Sequence, residues 1–248
     1  MSILYIAAHE LRRYFKSPLA WSLLAVVQFL LALFFLILLN QFLNPSAWFA
    51  ERGVTEIVIT GLLQVAGIII LMVTPFLTMH LFSEEHKTGT IKLLLSSPIS
   101  TTELVLGKYL GLMGLLISML AMISLMPLSL LMGTTPDMGQ TFSGLLGLLL
   151  LMSSFAAIGL FISALTSHPA VAAVSTFAVL FILWVVNLAA TSGSDTVKSI
   201  LSYLSILRHY NNLIDGLFNS VDVTYYLIVS MTFIILCIWR IDANRLYQ

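Results

Sequence analysis

Charge is what this chain has least of. Asp, Glu, Lys and Arg make up 9% of its 248 residues, where a soluble domain carries about a quarter. Eleven acids balance eleven bases, and a neutral chain offers no electrostatic footprint for nucleic acid. Cysteine occurs once, at Cys237, so no disulfide can form within the chain. Because Cys237 lies in an apolar run, it reads as a lipid-facing or packing residue; a reactive thiol needs polar support for its thiolate. No G-x-x-x-x-G-K-[ST] loop occurs, since Gly107-Lys108-Tyr109 lacks both the upstream glycine and the following hydroxyl. That removes the usual cradle for ATP phosphates. G-x-S-x-G, H-E-x-x-H and histidine pairs at metal spacing are missing as well, so hydrolase and zinc chemistry have no foothold.

Present in quantity is apolar length. Hydrophobic residues make up 59% of the chain, more than a water-soluble fold can hide, so lipid must solvate much of it. Six runs reach the roughly 20 residues that a bilayer core requires: 19–39, 61–82, 109–132, 142–165, 170–190 and 223–239. All must be helices, because lipid offers no partner to open backbone groups. The first run is too long for a signal-peptide core and lacks a clean small-residue cleavage site, so it is expected to stay as the first span. Tyr225, Tyr226 and Trp239 stand where interfacial aromatics belong on the last and shortest one.

Basic residues set the orientation. With the N-terminus inside, Arg12, Arg13, Lys16, Lys87, Lys92, Lys108, Arg240 and Arg245 are cytoplasmic, and only Arg52, Lys198 and Arg208 are outside. Eight against three predicts that both termini are cytoplasmic. His80 is the one ionisable group well inside a span, and every acid lies at a flank or in a loop. Carriers driven by ion gradients place such groups in their spans, so energy is expected to come from a partner.

Three segments outside the spans have patterns of their own. In 3–16, Leu4, Ala7, Ala8, Leu11 and Phe15 recur at helical spacing, with Glu10, Arg12, Arg13 and Lys16 largely to one side. This predicts an amphipathic helix along the inner surface, ended by Ser17-Pro18. In the long cytoplasmic loop, a short apolar helix is expected at 91–95, and Ser100-Thr101-Thr102-Glu103 fits a capping box, which starts the third helix before the bilayer. The outer stretch 191–222 is too apolar for a solvated loop and too interrupted to span. It predicts short helices dipping into the outer leaflet, with a break at Tyr210-Asn211-Asn212. The fold class is therefore all-α, a single membrane domain of six helices.

Within the spans, Pro75 and Pro127 predict kinks. Gln28 and Asn187 either line a path or bond neighbouring helices. Met72, Met79 and His80 could be soft copper ligands, but eleven methionines spread over several spans read better as apolar filler, and no metal site is assigned.

The run Glu84-Glu85-His86-Lys87-Thr88-Gly89-Thr90-Ile91-Lys92-Leu93-Leu94-Leu95-Ser96-Ser97-Pro98-Ile99-Ser100, continued by Glu103-Leu104-Val105-Leu106-Gly107-Lys108-Tyr109-Leu110, closely resembles the loop of ABC-2 type transporter permeases. Tyr14-Phe15-Lys16-Ser17-Pro18, Pro75-Phe76-Leu77-Thr78-Met79 and Ile158-Gly159-Leu160-Phe161-Ile162-Ser163-Ala164 extend the likeness to the gliding-motility-associated branch. The resemblance implies a six-span permease in the cell's inner membrane. A second permease copy or homologue would pair with it, as would two cytoplasmic ATPase subunits that bind the ATP and Mg, with room for an auxiliary periplasmic or membrane subunit. It further implies that the loop forms a coupling helix docked on the ATPase, involving Glu84, Glu85, Lys87, Gly89, Thr90, Lys92, Leu93 and Leu94. The N-terminal helix would brace that coupling helix, and re-entrant helices would precede the last span. His80 and Lys92 stand where relatives often carry Arg and Glu, and Lys92 reverses a charge on the docking face. Export, or extraction from the membrane, is the leading function. A non-transporting anchor through which ATPase cycles act on a periplasmic partner is the alternative.

Overall fold

The computed structural model describes residues 2–44, 53–90, 100–190 and 205–246. They form α1 (Ser2–Lys16), α2 (Pro18–Leu43), a π-helical turn (Thr55–Ile59) leading into α3 (Thr60–Thr78), α4 (Ser83–Thr88) and α5 (Thr101–Ser129). After a 3-10 turn (Leu130–Met132) come α6 (Met138–Leu165), α7 (Pro169–Ala190), α8 (Ile206–Ile214) and α9 (Ser220–Leu246). No strand occurs among the described residues. Six of the helices, α2, α3, α5, α6, α7 and α9, are long and apolar enough to cross a membrane.

Local chemistry explains the boundaries. Pro18 opens α2, where its missing N–H costs nothing. At α5 the expected capping box is present: Ser100 Oγ accepts from Glu103 N at 3.1 Å, and Glu103 Oε2 accepts from Ser100 N at 3.3 Å. Asp137 Oδ1 caps α6 by accepting from Gly139 N and Gln140 N. The second span was expected to run to Phe82, yet α3 ends at Thr78. The hydroxyl of Ser163 on α6 accepts the amides of Phe82 and Ser83 at 3.1 and 3.2 Å. That bond draws the chain into a turn before α4.

The core is built around α6, which packs against α3, α5, α7, α8 and α9. Over their most apolar 18 residues, α3 and α6 are 61% and 67% buried, against 17% for α2 and for α7. The poorly buried helices turn Phe29, Leu36, Ile37, Val174 and Ile182 outward, as lipid-facing surfaces do. Polar residues within the bundle tie helices together. Tyr109 Oη on α5 pairs with Ser153 Oγ on α6 at 2.7 Å, and Ser153 and Ser154 both reach Ser230 Oγ on α9. Cys237 is fully buried on α9, a packing residue and not a lipid-facing one.

The segment expected on the outer side departs from its expected break. Tyr210, Asn211 and Asn212 lie inside continuous α8 rather than at a break. Two of their polar groups are taken up by tertiary partners instead of competing with the helix. Tyr210 Oη donates to Leu63 O at 2.6 Å, and Asn212 Nδ2 reaches the carboxylate of Asp222. His209 Nδ1 pairs with the same carboxylate, and both residues are buried. Past the end of α8 the chain turns at Gly216, whose φ of 79° favours glycine. Residues 191–204 lie outside those described.

Candidate functional site: the junction of three helices

Where α1 meets α5, three glycines of α5 lie so close to α1 that a side chain would not fit. A Cβ added at Gly107 would stand 2.6 Å from Ile6 Cγ2. One at Gly111 would stand 2.6 Å from Glu10 Cβ and 3.0 Å from Ala7 O, and one at Gly114 would stand 3.0 Å from Leu11 Cδ1. The contacts advance together along both chains, so α1 and α5 run parallel. Three glycines at helical spacing make a groove on α5 that α1 fills, the small-residue packing that lets membrane helices touch.

This seating corrects the face assigned to α1. The residues turned inward are Ile3, Ile6, Ala7, Glu10, Leu11 and Tyr14, while Leu4, Tyr5 and Ala8 are exposed. Helix α1 therefore has two working sides, one against α5 and one with apolar side chains facing away from the protein. Glu10 takes the unexpected place: it is buried at 5% exposure, and a charge there needs a partner.

That partner is Lys108, 1% exposed. Its Nζ lies 2.8 Å from Glu10 Oε1 and 2.6 Å from Glu85 Oε1 on α4, and 5.1 Å above the Phe82 ring. Two carboxylates and an aromatic face meet three ammonium donors, the complement that a buried lysine requires. Around this centre the contacts loosen. Arg13 reaches Glu10 and Glu84, each at 3.5 Å, and His80 Nδ1 lies 3.4 Å from Glu84 Oε2. Tyr14 Oη donates to Leu77 O at 2.9 Å. Burial first, and then the charge of Glu10, raises the Tyr14 phenol well above its ordinary value, so Tyr14 stays a neutral donor tying α1 to the end of α3.

The residues singled out from the sequence divide accordingly. Glu85 belongs to the buried centre and Glu84 to its partly exposed rim. Lys87 is exposed on α4. Gly89, with φ of 72°, ends α4, and Thr90 Oγ1 sits 2.9 Å from Thr88 Oγ1. Lys92, Leu93 and Leu94 lie outside the described residues, together with the short helix expected at 91–95. Gln28 is not at this junction: its Nε2 donates to Met122 O at 3.2 Å, joining α2 to α5. Asn187 belongs to the last turn of α7, with its side chain outside the described set. Sequence reasoning missed Lys108, Glu10 and the glycine groove. The 107-111-114 spacing was a readable signal, whereas the pairing of residues 98 apart was not.

Mechanically, the arrangement makes α1, α4 and α5 one unit. Helix α4 of that unit ends at the glycine stop of Gly89, and α5 begins at the capping box of Ser100 and Glu103.

Residues 4–241 match the family described as ABC-2 family transporter protein. No curated protein matches the chain. The match covers nearly all of a chain whose six apolar helices suit a multi-pass membrane subunit. The chain belongs to the ABC-2 transporter family, as a transmembrane permease of an ABC transporter.

Proposed function

We propose that this permease exports a substrate, or extracts one from the membrane, using ATP hydrolysed by two separate cytoplasmic subunits, with a second permease copy or homologue completing the path. The proposal places it in the gliding-motility-associated branch, in the inner membrane with both termini cytoplasmic, and assigns ATP and Mg to the partner subunits. The observation that carries the reading is the clamp of Glu10, Lys108 and Glu85, which joins α1, α4 and α5. A push on α4 reaches the membrane-crossing α5 through the 2.6 Å bond of Glu85 to Lys108, and α1 through the 2.8 Å bond of Lys108 to Glu10. Glu84, Lys87, Gly89, Thr90, Lys92, Leu93 and Leu94 are the proposed contact region for the ATPase, with leucines as buried anchors and charges at the rim.

The test is reconstitution of the permease with its ATPase in sealed vesicles and measurement of ATP-dependent substrate movement. Hydrolysis that continues without any movement, while a periplasmic partner responds to it, would favour the anchor reading instead.

A further inference from the structure

Two cavities meet at Phe76. The first, of about 230 Å3, lies between α1, the start of α2 and the end of α3; its wall carries Arg13, Ser17, His80 and Glu84. The second, of about 340 Å3, lies between α3 and α7 and is lined only by apolar residues, Met72, Val174 and Phe177 among them. Phe76, itself half exposed, is common to both. The polar cavity sits where α2 begins and α3 ends, its wall reaching Ala20, one residue before Trp21, whose Nε1 donates to Phe15 O at 2.7 Å. Tryptophan is the usual marker of that depth. Going deeper, the wall changes from charged to hydrocarbon within two turns of α3.

We infer that this pair of cavities binds an inner-leaflet phospholipid with a primary-amine headgroup. The phosphate lies against Arg13 and His80, the ammonium against Glu84, and one acyl chain runs along Phe76, Met72, Val174 and Phe177. Charge complementarity selects the headgroup. The wall holds both signs, with Arg13 Nη2 and His80 Nδ1 at 3.5 and 3.4 Å from Glu84 Oε2. These pairs are long, and their side chains are 41%, 39% and 52% exposed, so they contribute little on their own and a headgroup can exchange with them. A purely anionic headgroup leaves Glu84 facing a negative charge. Choline carries no N–H to donate to it. Ser17, which makes no side-chain cap on α2, leaves its hydroxyl for a phosphate oxygen. At about 30 Å3 per water-sized group, the polar cavity has room for roughly eight heavy atoms, the size of phosphoethanolamine. The inference rests on the proposed orientation of the spans but not on the transport reading, so export can fail while the lipid site stands.

The experiment uses the purified full chain in mild detergent and measures retention of phosphatidylethanolamine, phosphatidylcholine and phosphatidylglycerol of matched acyl chains by native mass spectrometry. Phosphatidylethanolamine should be retained at least about fivefold over the other two. Arg13→Gln should lower retention of all three roughly tenfold, the loss of one charge-assisted bond. Glu84→Gln should abolish the preference over phosphatidylglycerol. Val174→Trp, on a residue 70% exposed and so harmless to folding, should block the acyl groove and cut retention without changing the headgroup order. Equal retention of the three lipids by the unaltered chain, a preference for phosphatidylglycerol, or a preference that survives Glu84→Gln overturns the inference.

Discussion

Lys108 Nζ on α5 lies 2.6 Å from Glu85 Oε1 on α4 and 2.8 Å from Glu10 Oε1 on α1, in a space that leaves the lysine 1% exposed. One ammonium thus holds three helices. Burying an ion pair adds little net stability by itself, but removing one member leaves the others uncompensated in a poor solvent.

Lys108→Met should accordingly destabilise the permease by about 3–5 kcal/mol, since Glu10 and Glu85 would then face each other. Combining it with Glu10→Gln and Glu85→Gln should restore most of that loss while weakening the link between ATP hydrolysis and transport. Thermal unfolding in detergent measures the first effect, and transport per ATP the second. An unchanged unfolding temperature for Lys108→Met alone would show that the clamp is not closed in the membrane.

The glycine groove can be tested by filling it. Gly111→Ala places a methyl group 2.6 Å from Glu10 Cβ and 3.0 Å from a backbone oxygen of α1, contacts that neither helix can relieve without separating. The expected cost is about 1–3 kcal/mol. Gly133→Ala meets nothing within 4 Å and should be nearly silent. Equal melting temperatures for the two variants would mean that α1 does not sit in the groove.

Topology can be read by labelling. With the buried Cys237 replaced by alanine, a cysteine at exposed Lys87 should react only from the cytoplasm. One at exposed Thr135 should react only from outside. Thr135 is the better outer site because Asp137 caps α6, and losing a cap costs about 1 kcal/mol. Reversed labelling at either position overturns the segment map.

Contact with the ATPase should depend more on apolar anchors than on charges. On the proposed docking face, Leu94→Asp should put a carboxylate in place of an apolar anchor, at a cost of a few kcal/mol. Lys92→Ala, on the rim of the proposed docking face, should cost roughly 1 kcal/mol or less. Pull-down of the ATPase by each correctly inserted variant ranks them. Binding abolished by Lys92→Ala yet intact in Leu94→Asp would refute the apolar docking face.

Of the candidate site, local features could be read and distant ones could not. The capping box at Ser100–Glu103 depends on residues three apart, so its signature lies in one short stretch. The break expected at Tyr210-Asn211-Asn212 failed because it judged those side chains by local propensity alone. Leu63 and Asp222 satisfy two of them from elsewhere in the chain. Glu10 was placed on a solvated face for the same reason: nothing near it in the chain shows that a lysine 98 residues on will neutralise it.

What the sequence determined by itself is the solvent and the class of fold. Long uncharged runs leave lipid as the only medium, and lipid leaves helices as the only structure, because backbone hydrogen bonds must be met within each segment. The loop motif carried the family as well. Tertiary structure alone decided which faces meet: that α1 turns Glu10 inward onto a strip of glycines, that Lys108 closes on two acids from two other helices, and that α8 packs against the bundle. An apolar helix in lipid has no solvent gradient around its axis to choose its inner side. That choice falls to small residues, hydrogen bonds and paired charges, whose partners are distant in the chain.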